Sequence, residues 1–237
     1  MNANAKAAGL LLGVLGVLVV AGGGALYLLR DRPPEPEPIP VAQPSGTVIA
    51  TVDGQPIYLL EAESRVEGLT GLHEGFELDE AWGERILMSL VDDQIIRSYA
   101  AENGIELFQD ELRAHVDELR ANFGTEDAFQ AWLDDQGIDV AELARRVELQ
   151  TLAARVYERV TSEAEVSTQD AKAYFKEHRD EYDTPDGAVP DFLFVQEQIE
   201  QDLLKTAQDE MFGAWLNEQE TQVDLVVLVD EWWKEIA

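Results

Sequence analysis

The 237 residues include 48 Asp and Glu against 17 Lys and Arg, which gives a formal net charge of −31 at pH 7. Because such a surface repels phosphate backbones, the composition excludes nucleic-acid binding. The chain has no cysteine, so disulfide bonds and thiol chemistry are excluded as well. The acidic residues are spread among apolar residues at helical spacing, which is typical of the solvated face of a helical protein. Adaptation to high salt is an alternative explanation for the acid excess.

A long uncharged stretch near the start begins at Gly9 and ends at Leu29. As a helix with a rise of about 1.5 Å per residue, it would cross a hydrocarbon core of about 30 Å. We therefore predict a single transmembrane anchor behind a short tail, residues 1–8. A cleaved signal peptide is the alternative. However, the apolar run continues up to Arg30, and a run of this length is longer than the apolar core of a signal peptide. The basic residues on the two sides nearly balance, so charge leaves the orientation open.

Residues 30–46 are rich in proline and glutamate and predict an extended polyproline II stalk. The rest, residues 47–237, is long enough to form one domain with its own hydrophobic core. We divide this domain into an N-terminal part, residues 47–183, and a C-terminal helix and strand, residues 190–237.

The only early β signal lies at the start of the domain. Val48, Ala50 and Val52 alternate with Thr47, Ile49 and Thr51, and residues 53–54 (Asp-Gly) supply a favoured two-residue hairpin turn. Near the end of the chain, residues 223–229 form a β-branched run that predicts a strand. We predict that this strand pairs with the hairpin and buries its alternate residues, Val227 among them.

Helical periodicity and capping side chains predict the elements in between. The predicted helices are residues 59–69, one between Asp79 and Asn103, residues 109–123, one between Thr125 and Gly137, one from Asp139 through Val156, one after Ser167 that carries Tyr174 and Phe175, and residues 195–220. The predicted fold class is therefore mainly α, with a small β-hairpin and a C-terminal strand, preceded by one transmembrane helix.

Several segments carry a family resemblance. They are residues 48–57 (VIATVDGQPI), 90–96 (LVDDQII), 103–105 (NGI), 137–143 (GIDVAEL) and 166–175 (VSTQDAKAYF). Together they resemble the chaperone domain of SurA-type extracytoplasmic folding factors, including PpiD-like and PrsA-like members. The last segment is similar to the family's V-S-D-E-E-I-K-x-Y-Y pattern, which normally leads into a parvulin prolyl isomerase domain.

The chain departs from the family at that point. Only nine residues separate Tyr182 from Phe192, which is too few for an isomerase domain. The S-H-I-L start and the F-G-x-H end of parvulins are also missing. The family's catalytic role therefore transfers to no residue of this chain, and we predict that the protein is not an enzyme.

No other catalytic or ligand-binding motif is evident in the sequence. His73, His115 and His178 are isolated, and neither a calcium-binding loop nor a glycine-rich phosphate loop occurs. The adjacent carboxylates at residues 92–93 and 134–135 point apart on a helix. We predict no catalytic residue, no metal and no cofactor.

The resemblance implies binding of unfolded or nascent polypeptides in an apolar cradle between the N-terminal helices and the C-terminal helix. Candidate client-binding residues near loops and helix ends are Leu72, Phe76, Phe108, Phe123, Phe129 and Trp132. Core packing is the alternative for each of them. Trp232 and Trp233 could cap the core, bind clients or touch a bilayer, and the sequence does not choose between these roles.

The sequence thus predicts an ATP-independent chaperone without isomerase activity. It would be a single-pass membrane protein, held by residues 9–29, with its domain on the periplasmic or cell-surface side. The alternative is an adaptor that binds one defined partner, such as a translocase or an envelope complex. The sequence leaves the clients and the oligomeric state open.

Overall fold

The computed structural model describes residues 38–72, 76–182 and 190–236. Within these ranges the chain is mainly helical with one small three-stranded sheet, which confirms the predicted fold class for this part. The predicted anchor, the stalk up to residue 37 and the turn at residues 184–187 lie outside the described residues. None of the helices in these ranges combines the length and the apolarity needed to cross a bilayer.

The elements follow in chain order. The strands are β1 (Val48–Val52), β2 (Gln55–Tyr58) and β3 (Leu225–Val227). The helices are α1 (Leu59–Leu72), α2 (Glu80–Glu102), α3 (Gln109–Asn122), α4 (Glu126–Asp135), α5 (Val140–Val160), α6 (Thr168–Glu177) and α7 (Phe192–Glu220). Short 3₁₀ turns, Arg179–Tyr182 and Trp232–Glu235, follow α6 and β3.

Side-chain caps explain where several helices begin, and the predicted caps are confirmed. Asp79 accepts a hydrogen bond from the backbone N–H of Trp82 at 2.9 Å, and Thr125 caps α4 in the same way. Ser167 and Asp170 cap each other reciprocally at the start of α6. Each cap satisfies backbone N–H groups that have no partner inside the helix, which fixes the helix start.

Helix α7 starts three residues earlier than predicted, at Phe192 instead of residue 195. The carboxylate of Asp191 caps it by accepting a hydrogen bond from the N–H of Leu193 at 3.1 Å. The predicted helix, placed near residues 195–220, is confirmed, and its start shifts because apolar spacing alone did not count Asp191 as a cap.

The sheet has the strand order β2-β1-β3, with all neighbours antiparallel. The hairpin turn has positive φ at both central residues, 50° at Asp53 and 78° at Gly54, as expected for a type I′ turn. β3 pairs with β1 through Val52–Leu225 and Ala50–Val227, which confirms the predicted pairing. The burial prediction was wrong for Val227, which remains 39% exposed because β3 is an edge strand.

The described residues form two compact units. The first, here called the sheet unit, comprises residues 38–156 and 223–236. The second, the α6–α7 unit, comprises residues 157–222 and contains the last turn of α5 together with α6 and α7. The chain thus leaves the sheet unit along α5 and returns to it after α7.

One hydrophobic core of the sheet unit lies between α3, α4 and α5. Its buried members are Leu112, Val116, Phe129, Leu133, Leu143, Ala144 and Val147. Ile39 and Val41 pack against this core, and the N–H of Ala42 donates to the carbonyl of Ala141 at 3.0 Å. The last residues of the predicted stalk are therefore attached to the folded body.

The sheet, α1 and α2 of the same unit pack together, and the final 3₁₀ turn packs on α2. Trp232 is 1% exposed and is a core residue. The ring of Trp233 lies directly against Gly83 of α2, where an added Cβ would be only 2.7 Å from a ring carbon. Of the three roles considered for the tryptophans, the structure therefore supports core capping.

In the α6–α7 unit, α6 packs along α7. The ring of Phe212 lies 5.2 Å from that of Tyr157, whose hydroxyl donates to Asp209 at 2.8 Å. Near the start of α7, Phe175 and Phe192 have ring centroids 5.7 Å apart. Aromatic contacts thus hold this unit at both ends of α7.

The contact between Gly83 and Trp233 generates a stability prediction. Replacing Gly by Ala inside a helix normally stabilises a protein by about 1 kcal/mol. We expect Gly83→Ala instead to lower the free energy of unfolding by about 1–3 kcal/mol, since the new methyl group clashes with the Trp233 ring. Gly68→Ala is the matched control, because nothing lies within 4 Å of its Cβ in the same unit. Denaturant unfolding of both variants checks this, and equal stabilisation by both would contradict it.

Candidate functional site

Three of the six predicted client-binding residues form one aromatic cluster. Phe123, Phe129 and Trp132 have ring centroids 5.1–6.2 Å apart, and the guanidinium of Arg120 lies 5.0 Å from the Phe129 ring centroid. Phe129 is completely buried and belongs to the core between α3, α4 and α5. For Phe129 the structure therefore favours core packing, the alternative that the sequence left open. Phe123 and Trp132 are half-buried at the border of the same core.

The other three predicted residues are not part of that cluster. Phe76 packs edge-on against Trp82 with a centroid distance of 5.2 Å. Phe108, just before α3, is 62% exposed. Leu72 is the last residue of α1, and its side chain lies outside the described part of the structure. Client binding at Leu72, Phe76, Phe108, Phe123 and Trp132 remains a prediction.

The structure exposes apolar side chains that the sequence analysis did not select. Besides Phe108, the large exposed ones in the described ranges are Leu60, Leu193, Phe194, Val226, Val227 and Leu228. Exposed apolar area is what a protein needs in order to hold unfolded segments by their apolar side chains. These residues are therefore the strongest structural candidates for a binding function.

Two groups stand out among them. The α7 tip consists of Leu193 and Phe194, which are 75% and 85% exposed in the α6–α7 unit. The β3 patch consists of Val226, Val227 and Leu228, which are 43%, 39% and 56% exposed in the sheet unit. The two groups differ in backbone, since one stands on a helix start and the other on a strand.

Both groups carry a sequence signal that we missed. Residues 192–195 read FLFV, and four consecutive apolar residues cannot share one face of a helix with 3.6 residues per turn. Residues 225–229 read LVVLV, so both faces of the strand are apolar. An uninterrupted apolar run in a short amphipathic element therefore indicates exposure unless a second layer covers it.

A charged network links α1, α2 and α5 of the sheet unit. Arg65 donates to Asp93 at 2.6 Å, and Glu142 accepts from both Arg145 and Arg146 at 2.7–2.8 Å. Arg145 also lies 3.5 Å from Glu61. A shallow pocket borders the network, lined by Ala42, Gln43, Pro44, Leu60, Glu61, Ser64, Glu142 and Arg145. Since these acids are engaged in ion pairs, the arrangement joins the three helices and does not resemble a general acid–base pair.

Two carboxylates of this network, those of Asp93 and Glu142, have opposite pKa shifts. Burial raises the pKa of Asp93 above its ordinary value, although Arg65 and Arg97 counteract it. Burial acts in the same direction on Glu142, but its hydrogen bonds from Arg145 and Arg146 outweigh burial and hold its pKa below the ordinary value. In the described part of the chain, Oδ1 of Asp93 is buried without a hydrogen-bond partner. Ionised Asp93 therefore lowers the stability of the fold, whereas ionised Glu142 raises it.

The described histidines pack against neighbouring residues. Nδ1 of His115 lies 3.4 Å from the hydroxyl of Thr151, and the ring of His178 stacks on Tyr174 with a centroid distance of 4.0 Å. Within the ranges that the structure covers, no group of three or more Asp, Glu or His side chains is arranged to hold a metal ion.

Comparison with known proteins gives sequence relatives of one kind. The chain is 31% identical over 103 residues to the foldase protein PrsA of Clostridium acetobutylicum and 22% identical over 162 residues to that of Clostridium perfringens. These matches cover 42% and 60% of this chain but only 31% and 46% of the relatives, so the chain spans a third to a half of their length. No protein-family model matches the chain.

The fold is similar to that of a SurA-like chaperone. A solved chain from the Campylobacter jejuni pair PEB4 and Cj1289, described as structurally related SurA-like chaperones, matches with a TM-score of 0.55 at 13% identity. The match covers 77% of this chain and 99% of that one. The described residues form no parvulin domain. The fold and the sequence relatives together confirm the predicted resemblance to the SurA/PrsA type of chaperone.

The burial of the aromatic residues predicts which of them stabilise the fold. Phe129→Ala should lower the free energy of unfolding by about 3 kcal/mol or more, because it leaves a cavity in the core. Phe108→Ala should leave unfolding within about 0.5 kcal/mol of wild type, since its ring is mostly in solvent. Chemical denaturation of the two variants checks this. An equal loss of stability in the two variants would contradict the exposure of Phe108.

The opposite pKa shifts predict opposite pH dependences. A lowered carboxyl pKa contributes stability that is present above its unfolded value, 4.5 for Glu142, and is lost as the pH falls through the folded value. The destabilisation by Glu142→Gln should therefore grow from about pH 3 to about pH 7. A raised carboxyl pKa costs stability as the pH rises, so Asp93→Asn should become more favourable relative to wild type over the same range. Denaturant unfolding at both pH values checks this, and the same sign for both variants would contradict it.

Proposed function

We propose that this chain is an ATP-independent extracytoplasmic chaperone that holds unfolded or partly folded polypeptides. The observation that carries the proposal is the set of exposed apolar side chains, the α7 tip and the β3 patch, on an otherwise strongly acidic chain with a SurA-like fold. Apolar patches bind unfolded segments because native proteins bury the side chains that unfolded chains expose. The surrounding charge keeps such a protein soluble.

The binding is weak at each patch and not selective for one sequence. Leu193 and Phe194 are 75% and 85% exposed at a helix start, so they offer contact area but are not enclosed in a fitted pocket. High affinity at interfaces depends on anchors that are fully desolvated in fitted pockets. Loose patches instead tolerate many apolar partners, which suits the holding of unrelated clients.

Two further parts of the proposal rest on the sequence. The anchor at residues 9–29 holds the protein at the membrane, with its domain on the extracytoplasmic side. The protein also has no prolyl isomerase activity, a proposal supported by the nine residues between Tyr182 and Phe192. The PrsA relatives, which are named foldases and are matched over 31% and 46% of their length, support the folding role and leave isomerase activity to experiment.

An aggregation assay tests the holding function. The full chain in lipid nanodiscs should suppress aggregation of a chemically unfolded client at near-stoichiometric ratios, without nucleotide or added metal, whereas empty nanodiscs should not. The double variant Leu193→Ser/Phe194→Ser should need several-fold more protein for the same protection. Gln198→Ser/Gln201→Ser, two exposed polar positions on α7, is the matched control.

The same preparation should not accelerate the proline-limited refolding of a model protein. Acceleration would overturn the absence of isomerase activity. No protection at large molar excess, with the domain folded, would overturn the chaperone proposal and favour an adaptor for one translocase or envelope partner. Cross-linking in cells followed by partner identification would then show whether one partner dominates.

A further inference from the structure

Among the described residues, β3 is an edge strand of the three-stranded sheet and pairs on one side only. The backbone hydrogen bonds toward β1 at the two ends of this ladder involve Asp224 and Leu228. Because bonded and non-bonded positions alternate in an antiparallel ladder, the N–H and C=O groups of Leu225 and Val227 point away from β1. The outer edge of the sheet therefore presents two donors and two acceptors in the geometry of a strand.

The side chains along this edge are apolar on both faces. Val226 and Leu228 lie on one face and Val227 on the other, and all three are at least 39% exposed. Soluble proteins usually block such edges with a charge, a proline or a bulge, because an open edge is a template for another strand. Residues 225–229 contain no charged residue and no proline. The edge is thus suited to accept a strand.

The charges at the two ends of β3 indicate which kind of segment can bind to its edge. Asp224 stands before the apolar run, and Asp230 and Glu231 follow it, all exposed. Lys234 lies 2.5 Å from Glu231 and offsets one of these charges. A second copy of this chain paired across the edge would bring these like charges together in a protein of net charge −31. A foreign segment with Lys or Arg beside its apolar residues fits the same charges.

We propose that the β3 edge binds one extended apolar segment of a polypeptide, flanked by Lys or Arg, which adds to the sheet as a fourth strand. This assignment rests on the proposed holding function and specifies the chemistry of the client segment at one site. Main-chain hydrogen bonds supply the recognition, so the side chains of the client need only be apolar and extended. The flanking charges set the preference among clients and make the binding sensitive to salt.

Hydrogen exchange with a defined probe tests the docking. The probe is a short synthetic peptide in which Val and Thr alternate and Lys residues stand at both ends. When it is added to the full chain in nanodiscs, the amides of Leu225 and Val227 should gain protection of at least tenfold. A peptide with Glu in place of Lys, and one N-methylated along a single edge, should each bind at least tenfold more weakly. Unchanged exchange of both amides at saturating probe would overturn the proposal.

Val227→Pro tests the same edge from the protein side. It removes an N–H that points outward and leaves the bonds to β1 in place, so the sheet should persist. It should weaken probe binding at least tenfold, whereas Val227→Thr, which keeps the N–H, should bind as the wild type does. Equal binding by a folded Val227→Pro variant would overturn the proposal. If that variant fails to fold, the N-methylated peptide against wild type decides.

The outcomes separate this proposal from the holding function. If the wild-type chain suppresses aggregation but its β3 amides are never protected, strand docking at β3 is overturned and the holding function stands. Probe binding at β3 without aggregation suppression supports docking and overturns the holding function. A third outcome is that, in the absence of probe, the two amides become protected to a degree that rises with protein concentration. That result would show that a second copy occupies the edge, and it would overturn the proposed occupant.

Discussion

The ladder between β1 and β3 is the contact on which the sheet unit depends. It joins residues 171 positions apart, such as Asp53 and Asp224, and closes a loop that contains nearly the whole domain. Only three residue pairs form the ladder, so its backbone hydrogen bonds alone cannot offset the entropy of closing such a loop. The burial of Trp232 and the seating of Trp233 on Gly83 supply the missing apolar contact immediately after the strand. The chain end therefore holds the sheet together through hydrophobic packing.

The ladder also explains why apolar groups remain exposed at β3. A strand that pairs on one side only leaves its other edge unpaired. Val226 and Leu228 are exposed in addition because their face of the strand is not covered by a second layer of described residues. In a protein of net charge −31, like-charge repulsion between copies opposes the self-association that such an edge would otherwise favour. The acidic charge and the apolar edge are compatible for this reason.

Local features of the fold were predictable from the sequence, whereas most non-local contacts were not; the pairing of β3 with the hairpin is an exception, because the β-branched run at residues 223–229 indicated it. The caps at Asp79, Thr125 and Ser167 depend on side chains within three residues of the N–H groups they satisfy, so spacing alone reveals them. The ion pair of Arg65 with Asp93 joins two helices, and no local sequence pattern predicts it. The residues of the candidate site were the hardest to predict for this reason. An aromatic residue at helical spacing is consistent with both core and surface, and Phe129 is core while Phe108 is exposed.

The distribution of the exposed residues bears on how such a protein would hold a client. The α7 tip and the β3 patch belong to different units, and each offers only two or three apolar side chains. A single patch of this size binds weakly, because it must also compensate for the ordering of the segment it holds. A client held at one such patch would therefore dissociate quickly, and an unfolded chain offers further apolar segments that would bind in its place. Contacts of this kind would retain a client only briefly and would leave it free to fold between them.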